Sequence, residues 1–265
     1  MPAVAETGIP ELNSRPAISG GTARAIFLFM FTAPWSAFWG AWTLFFALLN
    51  TQRACKFGID TWARGIMACS GVRTVVTHRA PLDTARTYVF LCNHQSALDI
   101  PILMKACFPT FNVRFLAKES LFKIPIMGWA MGRSGFVPIR RESPRHSAEL
   151  FQTMTKAGKI PYSYVIFPEG TRSPDGRLQP FKKGSIGLAL RLGLPVVPVS
   201  LIDACRANPK GAYRVRSGAV HVVFHAPIEP ATDAGSQRDS RDALEERVYG
   251  AIHSALPEDQ RPAAL

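Results

Sequence analysis

Hydrophobic and polar positions follow two different rules along this chain. Over residues 25–49 no side chain is charged for 25 positions, and Phe27, Phe29, Phe31, Trp35, Phe38, Trp39, Trp42, Phe45 and Phe46 load the stretch with aromatic surface. A helix of that length reaches across a bilayer core of about 30 Å. Pro34, Ser36 and Gly40 interrupt it centrally, and three of its tryptophans cluster there, whereas tryptophan in a simple span favours the two interfaces. The segment is therefore expected to span the membrane, to lie bent or re-entrant at its surface, or to be a buried core helix. From about residue 72 the pattern changes to short apolar runs alternating with helical periodicity. Strands are expected over 73–77, 88–92, 113–117, 135–139, 164–167, 196–201 and 219–224, and helices over 100–106, 121–131, 147–155, 185–192 and 238–255. The last carries Leu244, Val248, Tyr249, Ile252 and Leu256 on one stripe, as a docking helix would. Such alternation predicts an α/β fold: a mixed, mainly buried sheet flanked by helices, preceded by a membrane-embedded or membrane-surface helical element. The expected organisation is a mobile tail over 1–20, rich in Pro, Gly, Ser and Ala, a membrane-associated helical region over 21–71, and a single domain over 72–265.

Charge narrows the partners. Thirty-one Lys and Arg against nineteen Asp and Glu give +12, which favours an anionic partner. No run of five or more basic residues occurs and aromatics do not interleave with them, so nucleic acid is excluded in favour of a membrane or a phosphorylated substrate. Arg53, Lys56, Arg64 and Arg73 follow the apolar stretch, against Arg15 and Arg24 before it, which places the main domain on the cytoplasmic side of the inner membrane. The stretch is too long for a cleaved signal peptide. Five scattered cysteines, none in a C-x-x-C pair, indicate neither disulfides nor zinc and fit a reducing compartment.

Candidate chemistry begins directly after the second strand, at Asn93-His94-Gln95-Ser96-Ala97-Leu98-Asp99. A histidine removes a hydroxyl proton near neutral pH when a carboxylate holds its other ring nitrogen. Five residues on one continuous helix would put His94 and Asp99 about 140° apart, so a turn must bring them together, with Asp99 preceding Ile100-Pro101 at a helix start. A cap and an ordinary loop histidine would give the same pattern. A second segment, Phe167-Pro168-Glu169-Gly170-Thr171-Arg172-Ser173, forms a tight turn exposing Glu169, Thr171 and Arg172 for a polar ligand, unless it is a surface turn closed by an Arg–Glu pair. Adjacent Arg140 and Arg141 end another strand with donors suited to a phosphate monoester. Lys182 and Lys183 open a helix whose first amides face any anion there, or Ser185 simply caps it.

Together these residues resemble the glycerolipid acyltransferase superfamily, in particular the bacterial lysophosphatidic acid acyltransferases, over about residues 85–202. The N-H-x-x-x-x-D block matches at Asn93, His94 and Asp99, a second from Gly135 to Arg141, F-P-E-G-T-R-S without change at Phe167 to Ser173, and a fourth at Val196-Val197-Pro198-Val199. Lys118-Glu119 and Phe181-Lys182-Lys183-Gly184 look like the family's intervening lysine segments. The family commonly has an acidic residue where Arg140 stands. The resemblance implies a catalytic domain over 72–265 that transfers an acyl group from acyl-CoA or acyl-carrier protein to the free hydroxyl of lysophosphatidic acid, forming phosphatidic acid. It implies His94 and Asp99 as catalytic, and Lys118, Arg140, Arg141, Glu169, Gly170, Thr171 and Arg172 as substrate-binding, Arg141 before Arg140 for the phosphate. Neither a metal nor a cofactor is required, and the partners are the bilayer, a lysophospholipid acceptor and the acyl donor. Cys92 and Ser96 flank the histidine, so a covalent intermediate stays open. Another lysolipid such as lyso-ornithine lipid, or glycerol 3-phosphate, would serve as acceptor by the same machinery. A lipid hydrolase lacks a G-x-S-x-G elbow here, and a non-catalytic membrane-binding module leaves the polar motifs without a use.

Overall fold

A computed structural model of the chain describes residues 22–107, 110–140, 162–212, 214–230 and 237–262. Helix α1 (Thr22–Leu48) runs unbroken through Pro34, and after a turn at Asn50 helix α2 (Gln52–Ser70) returns along it. The central tryptophans explain the pairing. Trp35 Nε1 donates to the Trp62 carbonyl at 3.0 Å, Trp62 Nε1 to Ser36 Oγ at 2.9 Å, and Trp42 Nε1 to the Ala54 carbonyl at 3.3 Å. Their rings lie where α2 has glycine: a Cβ on Gly58 would come within 2.7 Å of Trp42, and one on Gly65 within 2.4 Å of Trp35. So the indoles of Trp35, Trp42 and Trp62 lie between the two helices, each polar edge finding a partner, while the buried Trp39 Nε1 has none among the described residues. Of the three alternatives for this segment, the spanning helix is not found: no described helix is long and apolar enough to cross a membrane. The length is present, but Trp35, Ser36, Trp39, Gly40, Trp42 and Thr43 dilute its hydropathy.

Gly71, in left-handed conformation at φ 67°, stops α2 and feeds the sheet. All seven expected strands occur, as β1 (Val72–His78), β2 (Val89–Cys92), β3 (Val113–Lys118), β4 (Val137–Ile139), β5 (Ser163–Ile166), β6 (Val196–Ile202) and β7 (Gly218–Phe224). They form one sheet in the order β1-β7-β6-β2-β5-β3-β4. Pairing is parallel except between β6 and β7, which makes the sheet mixed. In β2 the side chains of Phe90 and Cys92 join one core cluster and those of Val89 and Leu91 the other, so an uninterrupted apolar run is buried on both faces. The first cluster is covered by α2 and α3 (Asp99–Cys107); the second by α5 (Lys183–Arg191) and α7 (Gln237–Ala255), whose Leu244, Val248 and Ile252 are buried. A short helix α6 (Ala204–Ala207) follows β6.

The helix expected over 121–131 is two pieces, a 3₁₀ turn Glu119–Lys123 and α4 (Met127–Arg133). Pro125 disfavours helical geometry at Ile124, and Ile126 takes φ 64° to restart the chain. The helix expected over 147–155 and the tail over 1–20 lie outside the described residues.

Beneath α7 sits a buried polar pair. Ser200 Oγ donates to the Ile252 carbonyl at 3.1 Å, and the same oxygen meets His225 Nε2 at 2.9 Å. A hydroxyl that spends its proton on the carbonyl accepts from the imidazole, so His225 carries its proton on Nε2. Burial first, then the positive charge of Arg79, pushes the His225 pKa down to about 4.

Two outcomes follow from this packing. Gly65→Ala should cost about 1–3 kcal/mol of stability through overpacking against Trp35, seen as a lowered thermal midpoint; an unchanged midpoint would mean that the hairpin packs otherwise. For His225 the unfolded chain binds more protons between its ordinary value and the depressed one. Wild-type stability relative to His225→Gln should therefore fall as pH drops from about 6.5 towards 4, at about 1.4 kcal/mol per pH unit, in denaturant titrations run in parallel.

Candidate active site

β2, β3, β4, β5 and β6 run the same way, so the residues after each of them gather at one edge of the sheet. Asn93, the first residue beyond β2, spans to β6: its Nδ2 donates to the Leu201 carbonyl at 2.9 Å and its Oδ1 accepts from Leu201 N–H at 2.7 Å. The side-chain amide supplies a further rung of the ladder and frees the backbone to turn. In that turn His94 Nδ1 meets Asp99 Oδ2 at 2.7 Å. The same oxygen accepts the backbone N–H of Gln95 at 2.6 Å and of Ser96 at 2.8 Å. An oxygen already accepting two donors takes Nδ1–H as the third, which leaves the lone pair on His94 Nε2. Among the described residues Nε2 has no partner. Asp99 is wholly buried at the first position of α3, and the expected turn occupies Ala97 and Leu98.

Glu169 and its neighbours hold the rest of His94. Glu169 Oε1 accepts the His94 backbone N–H at 2.9 Å, Ser173 N–H donates to the His94 carbonyl at 2.7 Å, and the Phe167 ring stacks on the imidazole with centroids 4.0 Å apart. Glu169 is buried, turned back onto the histidine rather than presented with the rest of the turn. Burial, opposed by the His94 N–H and reinforced by the negative charge of Asp99, pushes its pKa up to about 8. Gly170 takes φ 70°, a conformation that favours glycine, and the flexible Lys182 side chain lies over it, 2.8 Å from where a Cβ would stand.

Of the other expected site residues, Thr171 is exposed and Arg172 half-buried on this turn. Lys210, from the β6–β7 connection, reaches over them, its Nζ 3.3 Å from Thr171 Oγ1 and 2.8 Å from the Arg172 carbonyl. Lys118 is exposed at the end of β3. Arg140, just past β4, forks onto both carboxylate oxygens of Glu119 at 2.9 Å. Arg141 lies outside the described residues. Helix α5 begins at Lys183 with no side-chain cap at Lys182, so simple capping does not account for the lysines.

Two alternatives at the histidine lose their footing. Cys92 is fully buried, and burial, with the charges of Asp99 and Glu169, raises its thiol pKa well above the usual range, the reverse of an activated nucleophile. Ser96 is also buried, its Oγ accepting Leu98 N–H at 3.1 Å. Sequence reasoning missed Lys210, Gln95 and the residues beneath it. Lys210 sits in no recognisable pattern, and Gln95 is a motif position open to any residue type.

Known proteins resemble this arrangement. The acyltransferase family model matches residues 73–202, from β1 through β6. A chloroplastic 1-acyl-sn-glycerol-3-phosphate acyltransferase of Brassica napus is 40% identical over 53% of this chain and 40% of its own length, and the matched region spans less than half of the first plant relatives. A 1-acyl-sn-glycerol-3-phosphate acyltransferase of Borreliella burgdorferi is 33% identical over 67% of this chain and 68% of its own length. The crystal structure of the 1-acyl-sn-glycerophosphate (LPA) acyltransferase PlsC from Thermotoga maritima superposes with a TM-score of 0.71 at 25% identity, covering 88% of this chain and 94% of that one. With His94, Asp99 and the Phe167–Ser173 turn meeting at one sheet edge, and a bacterial relative matched over two thirds of its length, this chain belongs to the acyltransferase family.

Proposed function

We propose that the protein transfers an acyl group from a thioester, acyl-CoA or acyl-carrier protein, to the free hydroxyl of lysophosphatidic acid, giving phosphatidic acid in phospholipid synthesis. The observation that carries this is the His94–Asp99 contact, which leaves Nε2 as the basic nitrogen. Nε2 takes the acceptor hydroxyl proton as that oxygen bonds to the thioester carbonyl carbon. The carbon–sulfur bond then breaks, and the thiolate leaves with the proton returned from His94. General base catalysis of this kind contributes about 10²–10⁴-fold. The names of the plant and bacterial relatives support the lysophosphatidic acid acceptor.

In this reading Thr171, Arg172, Lys118 and the Arg140–Arg141 pair meet the acceptor and its phosphate, Arg140 being already engaged with Glu119. Gly170 lets the Lys182 chain close over the turn. Glu169 acts differently from the other members of its motif: buried against the His94 N–H, it is a positioning residue. No cofactor takes part in the reaction.

The seat at the cytoplasmic membrane surface rests on α1. Its Phe27, Phe29, Met30, Phe38 and Phe45 are exposed, and so are Phe57 on α2 and Trp129 on α4, which packs beside Gly40 of α1. Such an apolar face has no reason to stand in water, and a helix lying in the interface buries one.

Purified protein given a labelled acyl-CoA should form phosphatidic acid only when lysophosphatidic acid is added; free fatty acid alone would instead indicate a hydrolase. His94→Ala should lower turnover by about 10²-fold or more while leaving the fold intact, and near-normal turnover would end the mechanism. Glu169→Gln keeps an acceptor for His94 N–H, so it should retain most activity, whereas Glu169→Ala should lose roughly tenfold or more in kcat. Equal losses with a raised KM would return Glu169 to the acceptor. The folded state also holds the Glu169 proton that the unfolded chain gives up at lower pH. Wild-type stability relative to Glu169→Gln should thus fall by about 1.4 kcal/mol per unit as pH rises from about 4.5 to 8.

A further inference from the structure

Behind the catalytic turn, two glutamines from distant parts of the chain meet in a buried hydrogen-bonded cluster. Gln95 follows His94 directly, and its backbone N–H is one of the donors on Asp99. Its side-chain Nε2 donates to the Gly176 carbonyl at 2.8 Å and to Gln260 Oε1 at 2.9 Å, while its Oε1 accepts Cys205 N–H at 3.3 Å. Gln260 Oε1 also accepts Asp203 N–H at 3.2 Å, and Gln260 Nε2 donates to Asp203 Oδ1 at 2.6 Å. Backbone partners fix both amides: each oxygen receives a main-chain N–H, and each nitrogen faces a carbonyl or carboxylate, so neither can be flipped without losing bonds. Gln260 is the last residue of a short 3₁₀ turn after α7, and its carbonyl accepts Leu178 N–H at 2.9 Å.

We infer that Gln260, from the end of the chain, is a positioning residue for acyl transfer: it clamps Gln95 and Asp203, and through Gln95 sets the turn in which Asp99 holds His94. The cluster joins four segments that local structure does not connect: the His94–Asp99 turn, the stretch after the Phe167–Ser173 motif, the end of β6 and the chain's C-terminal turn. Both amides are buried, so each lost bond leaves a donor or acceptor that water cannot satisfy. Displacement of the base by a fraction of an ångström lowers the chemical step more than substrate binding.

The kinetic part of the test rests on the acyl-transfer reading; the structural part does not. Gln260→Ala should lower kcat by on the order of ten- to a hundredfold with both KM values near wild type. Gln260→Glu sets two carboxylates against each other and should lose as much. Asp203→Asn combined with Gln260→Glu restores a donor facing an acceptor and should recover most of kcat. Hydrogen exchange on the same proteins should show faster exchange over residues 93–99 in Gln260→Ala, with β2 and α7 still protected. Absent turnover in the wild type would count against the acyl-transfer reading, and the exchange result would still decide the clamp. Unchanged exchange over 93–99 overturns it, as does wild-type kcat in Gln260→Ala or no recovery in the double variant.

Discussion

One carboxylate oxygen organises the site. Asp99 Oδ2 collects His94 Nδ1 and the backbone N–H groups of Gln95 and Ser96, all within 2.8 Å and away from solvent. Burying a carboxylate costs several kcal/mol unless strong hydrogen bonds replace its hydration, and three charge-assisted donors on Oδ2 supply that replacement on one oxygen, while the buried Oδ1 has no partner among the described residues. Their geometry leaves the chain little choice. Two consecutive amides must curl inward, the imidazole must lie across the same oxygen, and α3 must begin at Asp99. The bond that stabilises the turn also selects the histidine tautomer, so local folding and catalytic readiness are one requirement.

That requirement can be met only on a rigid platform, which the sheet provides. Because β2, β5 and β6 are parallel neighbours, their C-terminal ends lie side by side and pass on residues that are 75 or 108 positions apart in sequence. Asn93 extends the β2–β6 ladder with its side chain, and Glu169 and Ser173 take the two main-chain groups of His94. With Phe167 against its ring, the histidine is held at backbone, face and one nitrogen, while the other nitrogen is left for chemistry.

Much of this was legible from the residue pattern, for physical reasons. Strands buried on both faces must be apolar runs, as β2, β5 and β6 are, and the partly exposed β1 was found by its β-branched residues. The His94–Asp99 turn was legible because its spacing forbids a helix and Pro101 marks where one begins. What escaped was whatever depends on a partner far along the chain. The tryptophans of α1 read only as oddly central for a membrane span, because their counterparts Gly58 and Gly65 are signals only once α2 lies alongside. That Glu169 turns back to the His94 N–H was not legible, because a turn motif does not say which way a carboxylate points. Gln95 and Gln260 gave no signal at all: glutamine has neither a period nor a rare chemistry, and the pair is 165 residues apart.

Two buried groups shifted across the acid-to-neutral range, His225 and Glu169, act against each other in stability. His225, held neutral under α7, makes folding more favourable as pH rises through about 4 to 6.5; Glu169, held protonated behind His94, makes it less favourable from about 4.5 to 8. Over the shared interval the slopes have opposite signs and similar size, so they cancel there. Above about 6.5 the His225 slope is gone while the Glu169 slope continues, and it belongs to the carboxyl that accepts the His94 N–H. Of this pair, the group beside His94 and not the one under α7 is the one that lowers stability at neutral pH. The carboxyl that positions His94 stays in its buried acceptor role at the cost of alkaline stability.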